Sequence, residues 1–175
     1  CLYCDGLAFP AAAAAQADYL AQLRCEILFS GPWYQDYEVK TIFIGGGTPS
    51  VLEPEQITML MQTLGRVFSI AEDAEITIEA NPGTRLASKL AVYRQAGINR
   101  LSLGLQSTSN DELKLLGRIH TFEDFLMSFQ AARMAGFSNI NVDLMSAIPG
   151  QSAESWRNTI RRIIMLKPEH ISAYS

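Results

Sequence analysis

Two stretches of this chain have residue types spaced for chemistry. Cys1-Leu2-Tyr3-Cys4 sets two soft thiolate ligands three positions apart, and Gly45-Gly46-Gly47-Thr48-Pro49 leaves three consecutive residues without side chains. A C-x-x-C pair serves a redox dithiol, a zinc site or an iron–sulfur cluster. A thioredoxin-like dithiol starts a helix almost at once, whereas here Asp5 to Pro10 intervene before any helical pattern. Zinc wants four ligands, and Cys25, His120 and His170 are scattered without ligand spacing; Cys25 reads as a buried thiol on a helix face. Iron–sulfur is favoured. In the glycine stretch, a tight turn accounts for one or two glycines, but three let backbone N–H and C=O groups approach a ligand closely. No Lys-Ser or Lys-Thr follows, which argues against a P-loop, and the absence of G-x-G-x-x-G argues against a dinucleotide site.

The remaining polar candidates sit where apolar runs stop. Val39 to Ile44, Glu75 to Glu79, Arg100 to Leu105, Asn139 to Met145 and Glu169 to Tyr174 read as strands of a parallel sheet covered on both faces. The glycine loop follows the first of them, Glu79 closes the second, Gln106 the third, Asp143 falls late in the fourth and Tyr174 ends the fifth. In parallel α/β folds the carboxyl ends of the strands form one ligand-binding rim, so these positions predict a single composite site. Each of Glu79, Gln106 and Asp143 alone reads equally well as a loop cap, but together they do not. A carboxylate between Val142 and Leu144 must find a partner, and a ribose hydroxyl pair would serve. Arg118 reads first as an exposed charge near a helix end, His120 and His170 as structural hydrogen-bonders, and Met127, Met134, Phe122, Phe125 and Phe129 as packing.

Helices must carry the chain between these strands. Ile57, Leu60, Met61, Leu64, Val67 and Phe68 form one stripe at 3.6-residue spacing, entered through Glu53-Pro54. Ser109 with Glu112 has capping-box spacing, Thr121 with Asp124 resembles it, and Ser152 is placed to cap the helix carrying Trp156, Ile160, Ile163 and Ile164. Gly97 and Gly136 each stand where a helix stops and a strand begins, as left-handed caps do. Repetition of helix, glycine, strand and loop implies βα units with right-handed crossovers in one domain. An incomplete (β/α) barrel and an open doubly wound sheet both fit this pattern.

Composition bounds the function. With 175 residues, 48% of them hydrophobic, the chain can support one sizeable core. A net charge of -4 without basic runs argues against nucleic-acid and membrane-surface partners. The run Ala11 to Ala15 is far short of the roughly 20 residues that span a bilayer, so the expectation is a cytoplasmic protein without membrane insertion. Three cysteines make no disulfide framework and suit metal binding in a reducing compartment. The chain opens on Cys1 in mid-motif, so a piece of a longer protein is expected, with its first strand and a further ligand upstream.

Taken together these segments resemble the radical S-adenosylmethionine (SAM) family, and more narrowly the group of oxygen-independent coproporphyrinogen III oxidase and the heme chaperone HemW. Cys1 and Cys4 resemble the second and third cysteines of C-x-x-x-C-x-x-C, with Tyr3 at the aromatic position between them. Ile44 to Ser50, Ile78 to Pro82, Ser102 to Ser107, Asp143-Leu144 with Ile148 to Gln151, and His170 to Ser175 resemble further segments of the group. The resemblance implies a partial (β/α)6 TIM-like barrel of parallel strands, first strand absent, with residues 1–175 forming the core domain and the porphyrin- or heme-related region outside it. It implies a [4Fe–4S] cluster on Cys1 and Cys4 and SAM bound at Tyr3, Gly46, Gly47, Thr48, Glu79, Gln106, Arg118 and Asp143. In that assignment Arg118 partners the SAM carboxylate and Asp143 the ribose, and Ser175 falls near another contact position. It also implies a reductant for the cluster, which when reduced cleaves SAM to a deoxyadenosyl radical.

The oxidase branch resembles C-x-x-x-C-x-x-C-x-C, and Gly6 stands where its further cysteine would be. That favours heme binding and transfer to an acceptor protein over oxidative decarboxylation of coproporphyrinogen III, which remains the alternative. A metal-stabilised α/β interaction domain is the remote one. Met145-Ser146-Ala147 departs from the group's aromatic-glycine stretch before Pro149.

Overall fold

The computed structural model describes residues 2–4, 11–83 and 85–175. Five strands, β1 (Glu38–Ile44), β2 (Ser69–Ala80), β3 (Arg100–Gln106), β4 (Asn139–Met145) and β5 (His170–Tyr174), form one sheet in the order β1-β2-β3-β4-β5. All four pairings are parallel. A doubly wound sheet reverses its strand order at a switch point. Chain order without reversal is instead the wall of a barrel, and the five strands form a curled half-barrel. The helices are α1 (Ala13–Ser30), α2 (Pro54–Val67), α3 (Leu86–Gln95), α4 (Asn110–Leu115), α5 (Phe122–Met134) and α6 (Ala153–Met165).

Strand alternation divides the molecule into an apolar and a polar side. Ile76 and Ile78 of β2, Leu101, Leu103 and Leu105 of β3, and Ile140, Val142 and Leu144 of β4 share one core cluster with Ile57 of α2, Leu90 of α3, Phe125 of α5 and Ile163 of α6. The intervening residues, Ser102, Asn141, Asp143 and Ser172, hydrogen-bond to one another on the other face. Helices therefore cover one face of the sheet among the described residues. This corrects the reading of strands covered on both faces: serine, glycine, asparagine and aspartate alternate with the aliphatic residues at period two.

Helix ends follow their sequence signals. The capping box of α2 pairs Glu53 with Gln56 and that of α5 pairs Thr121 with Asp124, while Ser109 and Ser152 cap α4 and α6 through the backbone N–H of Glu112 and Ser155. Gly97 and Gly136 take positive φ of 92° and 88°. The second strand is longer than its apolar run, because α2 passes into it directly and Ser69 and Ile70 pair with Glu38 and Val39 before the register shifts.

Other expectations are corrected by helix orientation. Cys25 is exposed, because α1 leans on α2 through Arg24, which donates to Thr63 and Met59, and buries Leu20 alone among its residues. Met127 and Met134 are exposed as well, about half a turn away from the buried Phe122, Phe125 and Phe129 on α5.

One contact ties this scaffold to the loop after β1. Lys89, buried on α3, donates to the carbonyls of Ser50 at 2.9 Å, Val51 at 3.3 Å and Leu52 at 2.9 Å. Those carbonyls lie in and after the short turn Pro49–Val51 that follows the glycines, so Lys89 anchors its far end. Lys89→Met should therefore lower the unfolding free energy by about 2–4 kcal/mol in urea titrations, the expected cost of losing charge-assisted bonds and stranding carbonyls.

Candidate functional site

The polar side of the sheet converges at the carboxyl ends of the strands. The Gly46 N–H donates to Glu79 Oε2 at 3.1 Å, joining the first loop to the end of β2. Gly46 adopts φ of +126°, and a Cβ built there would meet nothing within 4 Å, so its backbone borders open space. Asn81 bridges the next gap: its Nδ2 donates to Thr48 Oγ1 at 3.0 Å and its Oδ1 accepts from Arg118 Nη2 at 2.6 Å. The Arg118 guanidinium also donates to the Gly104 carbonyl and, at 3.3 Å, to the Tyr3 hydroxyl. A side chain at position 104 would come within 3.0 Å of Asn81 Oδ1 and 3.2 Å of Arg118 Nη2, so glycine there makes the approach possible.

Gln106 is buried and adopts φ of +82°, a left-handed conformation unusual for a residue with a side chain. Its Oε1 accepts from the Tyr174 hydroxyl across the mouth. Just beyond, Glu112 accepts from Ser107, Gln151 and Ser155, which fixes the β3 loop against the start of α6. Strain at Gln106 is thus held in place from two sides.

The two rim carboxylates occupy contrasting settings. Asp143 accepts from Asn141 at 2.7 Å and from Ser102 at 3.5 Å, so its partners are neutral groups of the polar face. Burial pushes its carboxyl above the usual range despite these bonds. Glu79 is also raised, first by burial and then by the charge of Asp143, with the Gly46 N–H opposing. The Tyr174 hydroxyl is held well above its ordinary value, chiefly by burial, and stays a donor at neutral pH. His120 is buried against the Leu105 carbonyl, and burial plus the charge of Arg118 lowers its pKa to about 4.

The structure thus brings Tyr3, Gly46, Gly47, Thr48, Glu79, Gln106, Arg118 and Asp143 to one rim, with Cys4 beside Tyr3. Arg118 is a partly buried hub here, which corrects its reading as an exposed helix-end charge. Cys1 and Gly6 lie outside the described residues. Cys4 is exposed, and no three His, Cys, Asp or Glu side chains gather as a metal site among the described residues. His120 is the structural hydrogen-bonder expected, and His170 is exposed. Sequence reading assigned no role to Asn81, although it sits two positions after Glu79 within Glu79-Ala80-Asn81-Pro82. An apolar cavity of about 440 Å³ lined by Tyr37, Val39, Leu64, Phe68 and Ile70 lies toward the amino ends of β1 and β2, away from this rim.

The chain belongs to the radical SAM superfamily, whose family model matches residues 1–163. It is 39% identical to the heme chaperone HemW of Bacillus subtilis (strain 168) over 100% of this chain and 46% of that protein. Against the heme chaperone HemW of Escherichia coli (strain K12) the identity is 42%, over 90% of this chain and 42% of the relative. Its fold is similar to that of coproporphyrinogen III oxidase (HemN) from Escherichia coli, with a TM-score of 0.91 and 33% identity, covering 99% of this chain and 40% of that one. The chain thus spans less than half the length of these relatives.

Membership implies SAM and a [4Fe–4S] cluster. The donor set fits them. Cys4 supplies a soft ligand, Gly46 an open backbone cradle, Arg118 a guanidinium, and Glu79 and Asp143 two carboxylates for amine and hydroxyl groups. No described helix is long and apolar enough to cross a membrane.

Two opposite pH effects follow. The folded protein holds a proton on Asp143 more tightly than the unfolded chain, so this group's contribution to stability declines as pH rises from the ordinary value of 3.8 through the raised one. Asp143→Asn should therefore keep or raise the melting temperature at pH 8, with the advantage shrinking towards pH 4. His120 has the reverse sign: stability present above 6.5 is lost as pH falls towards about 4, on the order of 3 kcal/mol. Thermal unfolding of His120→Gln between pH 7.5 and 4 should lack that slope.

Proposed function

We propose that this chain is the core domain of a HemW-type protein, which binds a [4Fe–4S] cluster and SAM at the rim and hands heme to an acceptor protein in the cytoplasm. The observation that carries the SAM assignment is the hydrogen-bonded rim itself. There, the cysteine loop reaches Arg118 through Tyr3, and Arg118 reaches the glycine loop through Asn81. The 39% and 42% identities to heme chaperones HemW support the chaperone branch.

In this reading Cys1 and Cys4 are cluster ligands, and Tyr3 between them accepts from Arg118. Gly46, Gly47 and Thr48 take the methionyl amino end with Glu79 behind them, Arg118 takes the carboxylate, and Asp143 accepts from the ribose hydroxyls. Gln106, held by Tyr174, lines the wall between them. The cluster, once reduced by an external donor, supplies the electron for SAM chemistry, while the protein residues bind, orient and shield. A partly desolvated carboxylate such as Asp143 suits a diol, because its hydrogen bonds to a ligand strengthen when water is excluded.

Coproporphyrinogen III oxidation is the second reading, and the fold similarity to HemN at a TM-score of 0.91 favours it. Gly6, in place of the oxidase branch's further cysteine, weighs against it. The full-length protein, reconstituted anaerobically with iron and sulfide, should show a [4Fe–4S] paramagnetic signal that changes on adding SAM; an unchanged signal removes both readings. Stoichiometric heme binding without coproporphyrinogen turnover is the outcome expected next, and catalytic product formation would defeat the chaperone reading.

A further inference from the structure

We infer that Asn81 is a positioning residue that sets the spacing between the glycine loop and Arg118, so that the two ends of an amino-acid group are gripped as one unit. The inference rests on the SAM reading above and adds to it a residue that does not itself have to touch the ligand. Its basis is a donor and acceptor count. The Thr48 hydroxyl donates to the Gly47 carbonyl at 2.6 Å, so towards Asn81 it has acceptor capacity left. A guanidinium only donates, so the group facing Arg118 must accept. A side chain joining these two must donate at one end and accept at the other across a short span, which is what a carboxamide does. The asparagine orientation is fixed by the same argument, since reversing it would set an NH2 against the guanidinium.

Further contacts make the bridge stiff. The Asn81 backbone N–H donates to Ser50 Oγ at 3.2 Å, and Ser50 is buried, with its carbonyl held by Lys89. A Cβ at Gly104 would come within 3.0 Å of Asn81 Oδ1 and 3.2 Å of Arg118 Nη2, so a side chain there would push both groups aside. The loops after β1 and β2 and the segment after α4 therefore meet at one amide. Removing it takes away the side chain that couples the glycine loop to Arg118, each of which keeps its other contacts, and so weakens a ligand bound by both while sparing one bound through its nucleoside.

The test uses the full-length protein, reconstituted anaerobically, with binding of two probes followed by calorimetry. SAM carries both ends of the amino-acid group; 5′-methylthioadenosine carries the nucleoside alone. Asn81→Ala should weaken SAM binding about tenfold or more while changing 5′-methylthioadenosine binding less than about twofold. Asn81→Asp, which restores an acceptor for Arg118 but no donor to Thr48, should recover part of the loss. Unchanged SAM affinity in Asn81→Ala would overturn the inference and leave the SAM reading standing, and so would an equal loss for both probes, the signature of general damage. Failure of the wild-type protein to bind SAM would overturn both.

Discussion

Everything at the rim depends on the two-residue period of the strands. Because alternate side chains point to opposite faces, the residues that anchor β3 and β4 under the helices also fix where Ser102, Gln106, Asn141 and Asp143 must point. A slip of one residue in β3 against β4 would exchange the aliphatic and polar sets, placing leucines on the polar face and Ser102 under the helices. The burial of Leu101, Leu103, Leu105, Ile140, Val142 and Leu144 makes that exchange prohibitively costly. The core therefore specifies the site's register without touching any ligand.

On that register the loops add a hydrogen-bonded layer. Its members come from the ends of β1, β2 and β3 and from the segment around Tyr3, and its hub is a guanidinium whose position depends on a glycine at 104. Among the described residues, two of the four non-glycine positions with positive φ lie at the carboxyl ends of strands, the others being Arg85 and Lys167. Gln106 takes a left-handed backbone at the start of this layer, and Ala147, with φ of +56°, does so in the loop after β4. Ala147 lies directly after β4, in Met145-Ser146-Ala147. A non-glycine residue in that conformation costs roughly 1 kcal/mol, a strain borne by the neighbouring contacts.

Much of this was legible in the sequence, and the parts that were not have physical reasons. Strand ends, caps and helix-stopping glycines carry local signals, so β4 was bounded to the residue and the strand-end polar positions could be assigned to one rim. Sheet order could not be read, because periodicity reports which face a residue occupies and not which strand lies beside it. The surroundings of Arg118, and any role for Asn81, are not readable from local signals for a similar reason. Arg118 lies fourteen positions from Gly104 and thirty-seven from Asn81, and a charge near a helix end looks solvated until the loops are folded around it. Residue type alone predicts burial for Cys25, Met127 and Met134, whereas their angular positions on α1 and α5 turn all three to solvent.

The bond between Tyr3 and Arg118 joins residues 115 positions apart, and Leu2 rests on Gly117 beside it. The segment around Tyr3 thus has no seat until the turn after α4 is in place. That seat is a product of tertiary folding, assembled from parts distant in the chain and not by local structure.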